Sequence, residues 1–421
     1  MSRAARPAFV AGLVAAFALA APAAADTSTV THTEPVVIAK QGPHCAEDPN
    51  CFNRYHPAIP TVATVQPGDV LVFQTRDALD SDLTLESTAD DLAALDLNLV
   101  HPMTGPVHVD GAERGDVLAV TLMDIAPDQY GYTVIVPGFG FLRDRFTEPF
   151  LASWKADRLA AVSEQIPGVR IPFNGFMGSV GVLPGDPEVE AWLAREAQLA
   201  EVNGVALPPQ PIGAQPTEVC GPDGPHKDAC LRTIPPRENG GNMDVKQMQV
   251  GTTLLLPCFV DGCGLFVGDV HFAQGDGEVS GTAIEMGAEV TVQVEVRKGA
   301  GEHIKQPQFH GGAQLKTLAP TKFYATTGIP VKAAGEVPAQ HEYLNGEKIG
   351  ALENLSEDLV LAARNALSEA IDWMVREKGL TPEQAYVVAS VAVDLRIGQV
   401  VDVPNYIVSA IIPLEIFDDE R

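Results

Sequence analysis

The sequence predicts a β-rich α+β fold, a sandwich-like β scaffold with a C-terminal helical hairpin. Three features carry this reading. Gly-Asp turns at Gly68-Asp69 and Gly115-Asp116 each feed a strand-like apolar run. Glu289–Val296 alternates apolar and polar residues with period two, the mark of a half-buried strand. After Leu355 an amphipathic stretch ends at Gly379 and is followed at once by a second helix start.

Gln66–Asp77 lies well over Glu113–Asp124, and shared hairpin chemistry accounts for the likeness better than duplication does. Similar turn-then-strand signals recur from Ile59 to Pro137 and from Val245 to Val296. Asp186–Glu201 has helix-forming composition, with Pro187 in the first turn. Between Gly204 and Arg237 eight prolines sit among glycines and a cysteine pair, a composition that resists regular helix or ladder bonding. Residues 204–238 are therefore read as a loop over a site or as an interdomain crossing. That divides the chain into a β-rich part over 26–203 and a second part over 239–421.

In the hairpin, Leu359, Ala363, Ala366, Ala370 and Met374 line one face, with Ser356 as cap and Glu357 and Asp358 at the positive end. Thr381-Pro-Glu-Gln384 forms a capping box with proline at the first helical position, opening a helix through Ala389. Val400–Phe417 returns to strand-like residues. The hairpin carries no convergent reactive side chains, so it is assigned to packing or oligomer support.

Arg3 and Arg6 precede an apolar run from Ala8 to Ala21, and Ala23-Ala24-Ala25 stands just before Asp26. This reads as an export signal over residues 1–25, cleaved after Ala25, with a periplasmic or secreted product. The run is too short and too interrupted for a membrane anchor. A net charge of −27, spread without long blocks of one sign, repels nucleic acid and excludes it as a partner. In an oxidising compartment the six cysteines pair by default, and their spacing favours the local pairs Cys45/Cys51, Cys220/Cys230 and Cys258/Cys263 as staples on surface loops. A zinc knuckle needs a shorter spacing than any of these pairs has.

The densest polar cluster runs from Asn239 to Glu285. His271 is flanked there by Asp269, Asp276 and Glu278, which together offer every donor type a divalent cation takes. An extended segment puts Asp269 and His271 on one face. The plain alternative is that Gly275-Asp-Gly-Glu278 is only a hairpin turn. Asp77 in turn reads either as a ligand or as a turn cap, and Asp244 either as a ligand or as an acceptor of backbone amides.

Four long strings occur in order: RYHPAIPTVATVQPGDVLVFQTRDA at Arg54–Ala78, HPMTGPVHVDGAERGDVL at His101–Leu118, GGNMDVK at Gly240–Lys246 and GDVHFAQGDGEVSGTAIE at Gly268–Glu285. With IPPRENGG from Ile234 and VDVPN from Val401, they resemble the acetamidase/formamidase family, with HPMTGP and IPPRENGG closer to its formamidase branch. The resemblance implies hydrolysis of a short aliphatic amide, formamide or an acetamide-like one, to acid and ammonia. It also implies a homo-oligomer and a divalent metal, zinc first, with calcium, magnesium or manganese as alternatives.

Such a metal would activate water and polarise the carbonyl while a carboxylate relays the proton. Carried onto this chain, Asp77, Asp244 and His271 become ligands, Glu278 the relay with Asp276 and Glu285 as competitors, and His101, Asn242 and Gln274 substrate contacts. Rival amidase designs fail on the letters: there is no GxSxG and no Ser-Ser pair, and Cys258 has Cys263 as a disulfide partner. A secreted, non-catalytic binding protein on the same scaffold is the alternative from another class.

Overall fold

The computed structural model describes residues 34–201, 207–332, 354–355, 358–401 and 406–420. The export signal read over 1–25, with its cleavage point, lies outside them, as do Ser356, Glu357 and most of the VDVPN string. Among the described residues most strands belong to two large sheets. The smaller has six strands in the order Val36–Ile38, Val70–Thr75, Ala288–Arg297, Val117–Pro127, Thr253–Pro257 and Gln308–His310. Both Gly-Asp turns lead into this sheet, through Val70–Thr75 and Val117–Pro127, so these neighbours of the long Ala288–Arg297 strand start from the same local chemistry. That strand buries Val290, Val292 and Val294 and exposes Glu289 and Glu295, the alternation its letters require.

The second sheet has eleven strands. Its middle runs Phe150–Ala156, Tyr130–Ile135, Glu285–Met286, Cys263–His271, Phe176–Val182 and Gly240–Asn242. Leu71, Phe73, Leu122 and Val292 from the first sheet share one buried cluster with Trp154, Val180, Val267 and Val270 from the second, so the sandwich expectation holds. Each such side chain contributes about 1.5–3 kcal/mol on burial. Residues before and after the proline-rich stretch supply strands to both sheets.

Cys263–His271 is buried along its whole length, because both of its faces are covered. Its Phe266 packs with Phe52, Tyr55, Cys220, Cys230 and Leu231. The proline-rich stretch therefore lies against the back of the strand that ends at His271. Its described residues contribute one helical turn, Thr217–Cys220, and the short strand Leu231–Arg232 paired with Arg54–Tyr55. The three local disulfides form as paired above, but their cysteines are buried, so they staple packed interior segments instead of surface loops.

The helix Leu359–Lys378 is capped by Asp358, whose carboxylate accepts from Leu361 N, and ends at Gly379 in the left-handed region. Thr381 and Gln384 form the capping box of Pro382–Ala392. None of the described helices is long and apolar enough to cross a membrane.

Candidate active site

Sheet register assembles the centre. Glu285 pairs with Tyr132 on one side and with His271 on the other, and His271 pairs in turn with Phe176. Directly opposed residues share a face, so Tyr132, Glu285 and His271 stand in a row across three strands. Asp269 joins this face from two positions upstream of His271. Asp244 arrives from the turn after Gly240–Asn242, and Glu278 from the loop after Gln274. Asp244, Asp269 and Glu278 all adopt left-handed backbone, with φ of 51°, 50° and 44°. Strain of this kind collects where surrounding contacts hold a functional geometry.

His271 organises the donors. Its Nδ1 lies 2.8 Å from Gln274 Oε1, and the Gln274 amide donates to the backbone oxygen of Asp244 at 2.9 Å. That second bond orients the amide, so Gln274 presents an acceptor and Nδ1 carries the proton. Nε2 faces carboxylates: Glu285 Oε2 at 3.2 Å, Asp269 Oδ1 at 3.3 Å and Asp244 Oδ1 at 3.9 Å. Glu285 Oε2 and Asp244 Oδ1 are buried and make no hydrogen bond. Ligand atoms of Asp244, His271 and Glu278 lie within 4.8 Å of one another, as do those of Asp269, His271 and Glu285. Converging carboxylate oxygens around an imidazole nitrogen fit a divalent cation, which would take the place of the Nε2 proton.

Space beside the ring is kept open by Gly178. A Cβ there would stand 2.8 Å from His271 Nε2 and 2.5 Å from the Asp269 carbonyl oxygen. Phe176 meets the imidazole edge-on with ring centroids 5.0 Å apart, closing its other side.

Electrostatics divide the acids. Burial pushes Glu278 up to about 8, and it does the same to Glu285. It raises Asp244 well above the carboxylate range, and the neighbouring Glu278 adds to that. Asp269 is equally desolvated, yet His101 and His271 outweigh the burial and hold it below its ordinary value. For His271 burial acts downward, and Glu285 and Asp269 reverse it, leaving the ring raised. His101 is lowered by burial. Its Nε2 lies 3.9 Å from Asp269 Oδ2, and its Nδ1 is buried with no partner.

The sequence-derived candidates divide into those the fold brings together and those it does not. Asp244, His271, Glu278, Glu285, His101 and Gln274 converge, with Gln274 bonded to His271. Asn242 stands behind: its amide donates to the Ile234 oxygen, and its Oδ1 lies 3.1 Å from Ser179 Oγ, which also approaches Asp269 Oδ2 at 3.2 Å. Two candidates stand outside these groups of possible ligands. The Asp77 carboxylate accepts from Tyr132 Oη at 2.7 Å and from the amides of Leu79 and Ser81 at 3.0 Å, so it caps a turn. The Asp276 side chain accepts from Gln247 at 3.1 Å and lies 3.8 Å from Lys246 Nζ. Asp269, read from the sequence as a flanking donor on the His271 face but given no role, joins the centre. Tyr132 is visible only through cross-strand pairing.

Fold and site together define a β-sandwich protein with a buried imidazole–carboxylate centre suited to a divalent cation. Residues 38–419 match the acetamidase/formamidase family, and the chain belongs to it. It is 33% identical to the formamidase of Methylophilus methylotrophus, over 88% of this chain and 90% of that one. It is also 33% identical to the acetamidase of Mycolicibacterium smegmatis, over 80% of this chain and 84% of that one. Among solved structures, the gamma lactamase from Delftia acidovorans matches with a TM-score of 0.81 at 31% identity, covering 91% of this chain and 93% of its own.

Proposed function

We propose that the protein hydrolyses a short linear amide to the carboxylic acid and ammonia at the His271 centre. The observation that carries this is the convergence of His271 Nε2 with three carboxylates, two of them with a buried oxygen that makes no hydrogen bond. His271, Asp244, Asp269 and Glu285 are the groups that would hold a divalent cation; an imidazole among oxygens suits zinc and also admits manganese, magnesium or calcium. When bound, such an ion polarises the amide carbonyl and balances the charge of the acids.

The remaining work falls to side chains. Glu278, kept protonated toward pH 8 by burial, gives its proton to the departing nitrogen, and Asp244 beside it shares the proton traffic. Water loses a proton to this pair as its oxygen bonds to the acyl carbon, and the C–N bond breaks as nitrogen receives one. His101, with its unpartnered Nδ1, holds the substrate amide. His271, Asp269 and Glu285 are almost wholly buried, which restricts the substrate to a small one. The likeness to a gamma lactamase supports a second reading, in which a small cyclic amide is opened to an amino acid.

Three disulfides are consistent with an oxidising compartment. With the export signal read at residues 1–25, they support action in the periplasm or outside the cell. A homo-oligomer is proposed from the family resemblance.

The test is ammonia release from formamide, acetamide and propionamide, beside ring opening of a γ-lactam, before and after chelation and metal add-back. Release that stops on chelation and returns with metal is the expected result. Undiminished turnover in fully metal-free protein would overturn the cation's role, and no turnover of any amide by metal-loaded protein would favour the binding-protein reading.

A further inference from the structure

We propose that Lys246 and Asp394 form a positioning pair that sets the spacing between Asp244 and Glu278. This rests on the reading of Asp244 as a cation ligand beside His271 and of Glu278 as the proton relay, and adds residues outside the centre to it. Lys246 lies two residues after Asp244 and donates from Nζ to Asp394 Oδ1. The same oxygen accepts the backbone amide of Asp276 at 3.1 Å, two residues before Glu278. One carboxylate oxygen therefore joins the turn that carries Asp244 to the loop that carries Glu278.

The surrounding contacts make this joint directional. Leu395 N returns a bond to the Asp276 oxygen at 3.0 Å, and Gly275 N donates to the Ser390 oxygen at 2.8 Å. Ser280 N donates to Ser390 Oγ at 3.0 Å, and Tyr386 Oη to the Val279 oxygen. Gly275 sits so close to the end of the Pro382–Ala392 helix that a Cβ would lie 2.2 Å from the Val393 oxygen. The loop around Glu278 is thus gripped along its length by the second hairpin helix and the residues after it. Lys246 extends that grip to the Asp244 turn.

Charge chemistry argues for geometry as the purpose. Lys246 and Asp394 are 6% and 4% exposed, and a buried ion pair is commonly no more stabilising than an apolar pair of the same volume. Lys246 Nζ also lies 3.8 Å from Asp276 Oδ1, while Arg396 reaches Asp394 Oδ2 at 3.2 Å from the solvent side. Lys246, two residues from Asp244, stands between Asp276 on the Glu278 loop and Asp394 after the second hairpin helix, and such a charge contact fixes distance in a way that apolar contacts cannot. Lys246 and Asp394, together with Gln274, line a cavity of about 130 Å³.

The experiment uses the full-length oxidised protein and the double variant Lys246→Met/Asp394→Asn, which leaves no buried unpaired charge and keeps an acceptor for Asp276 N. Zn²⁺ affinity is measured by competition with a chromophoric chelator, and coordination by the visible absorption of the Co²⁺-loaded protein. The expected result is native-like thermal unfolding, Zn²⁺ affinity weakened by about 10–100-fold as for other residues that orient ligands, and shifted Co²⁺ bands. Lys246→Arg should restore affinity to within a few fold. A folded double variant with wild-type Zn²⁺ affinity and wild-type Co²⁺ bands would overturn the proposal. A double variant that fails to fold would also overturn it, since the pair would then serve stability. Wild-type protein that binds neither metal would instead remove the cation site itself.

Discussion

Two pairs of acids surround the same imidazole, and the fold treats them differently. Asp269 and Glu285 are strand residues fixed by register, with side chains 3% and 2% exposed. Asp244 and Glu278 sit on a turn and a loop whose positions depend on Gly178, Lys246 and the C-terminal helix. Two histidines hold Asp269 ionised, whereas Glu278 keeps its proton to about pH 8. Asp269 thus supplies fixed negative charge, while Glu285 on the sheet and Glu278 and Asp244 on the loops hold exchangeable protons in the metal-free centre.

The largest effect expected is at the shared ring. His271→Ala should abolish metal retention after dialysis, read by elemental analysis, and with it turnover, because neither pair of acids then has a nitrogen donor. Glu278→Gln separates the pairs: metal content should stay at the wild-type level while kcat falls by about 10²–10⁴-fold. Loss of metal together with unchanged turnover per bound metal would instead make Glu278 a ligand and not a relay.

Acidity sharpens the contrast. In metal-free protein Glu278 and Glu285 lie near 8 in the folded state against an ordinary 4.5, so the folded chain binds more protons than the unfolded one between those values. Their contribution to stability is full below about pH 4.5 and is lost as pH rises through 8. Asp269, lowered, acts oppositely, and its contribution is lost only as pH falls below its ordinary 3.8. Urea unfolding from pH 5 to 9 should show the alkaline decline, and saturating Zn²⁺ should flatten it by holding the carboxylates ionised. A slope unaffected by metal would place the titrating groups elsewhere.

Smaller changes are expected behind the centre. Gln274→Ala frees the His271 tautomer and should weaken Zn²⁺ binding by about 10–100-fold. Asp77→Asn should leave metal binding and turnover within a few fold, costing about 1 kcal/mol of stability through weaker turn capping. A loss of metal in that variant would return Asp77 to the ligand set.

Much of the centre was legible because its parts are local in the chain. His271, Gln274, Glu278 and Glu285 fall within fifteen residues of one motif. The hairpin helices were equally legible, since Gly379 and the Thr381–Gln384 box are local stop and start signals. Asp77 was less legible, because a carboxylate at a strand end serves a turn or an ion with the same letters, and its bonds to Tyr132 and to the amides of Leu79 and Ser81 appear only in the fold. Asp276 was less legible because it lies two residues from Glu278 yet its side chain meets Gln247 and Lys246.

The amino-acid order by itself determined the strand alternation, the helix caps, the local cysteine pairs and the residue types gathered around His271, because each depends on neighbours a few positions away. Which carboxylate meets the imidazole, which caps a turn, and how the C-terminal helix grips the Glu278 loop were decided only by the folded chain. The meeting of carboxylate and imidazole depends on strand register, the Asp77 cap on Tyr132 as well as on nearby amides, and the helix grip on contacts more than a hundred residues apart, so short-range patterns alone do not encode them.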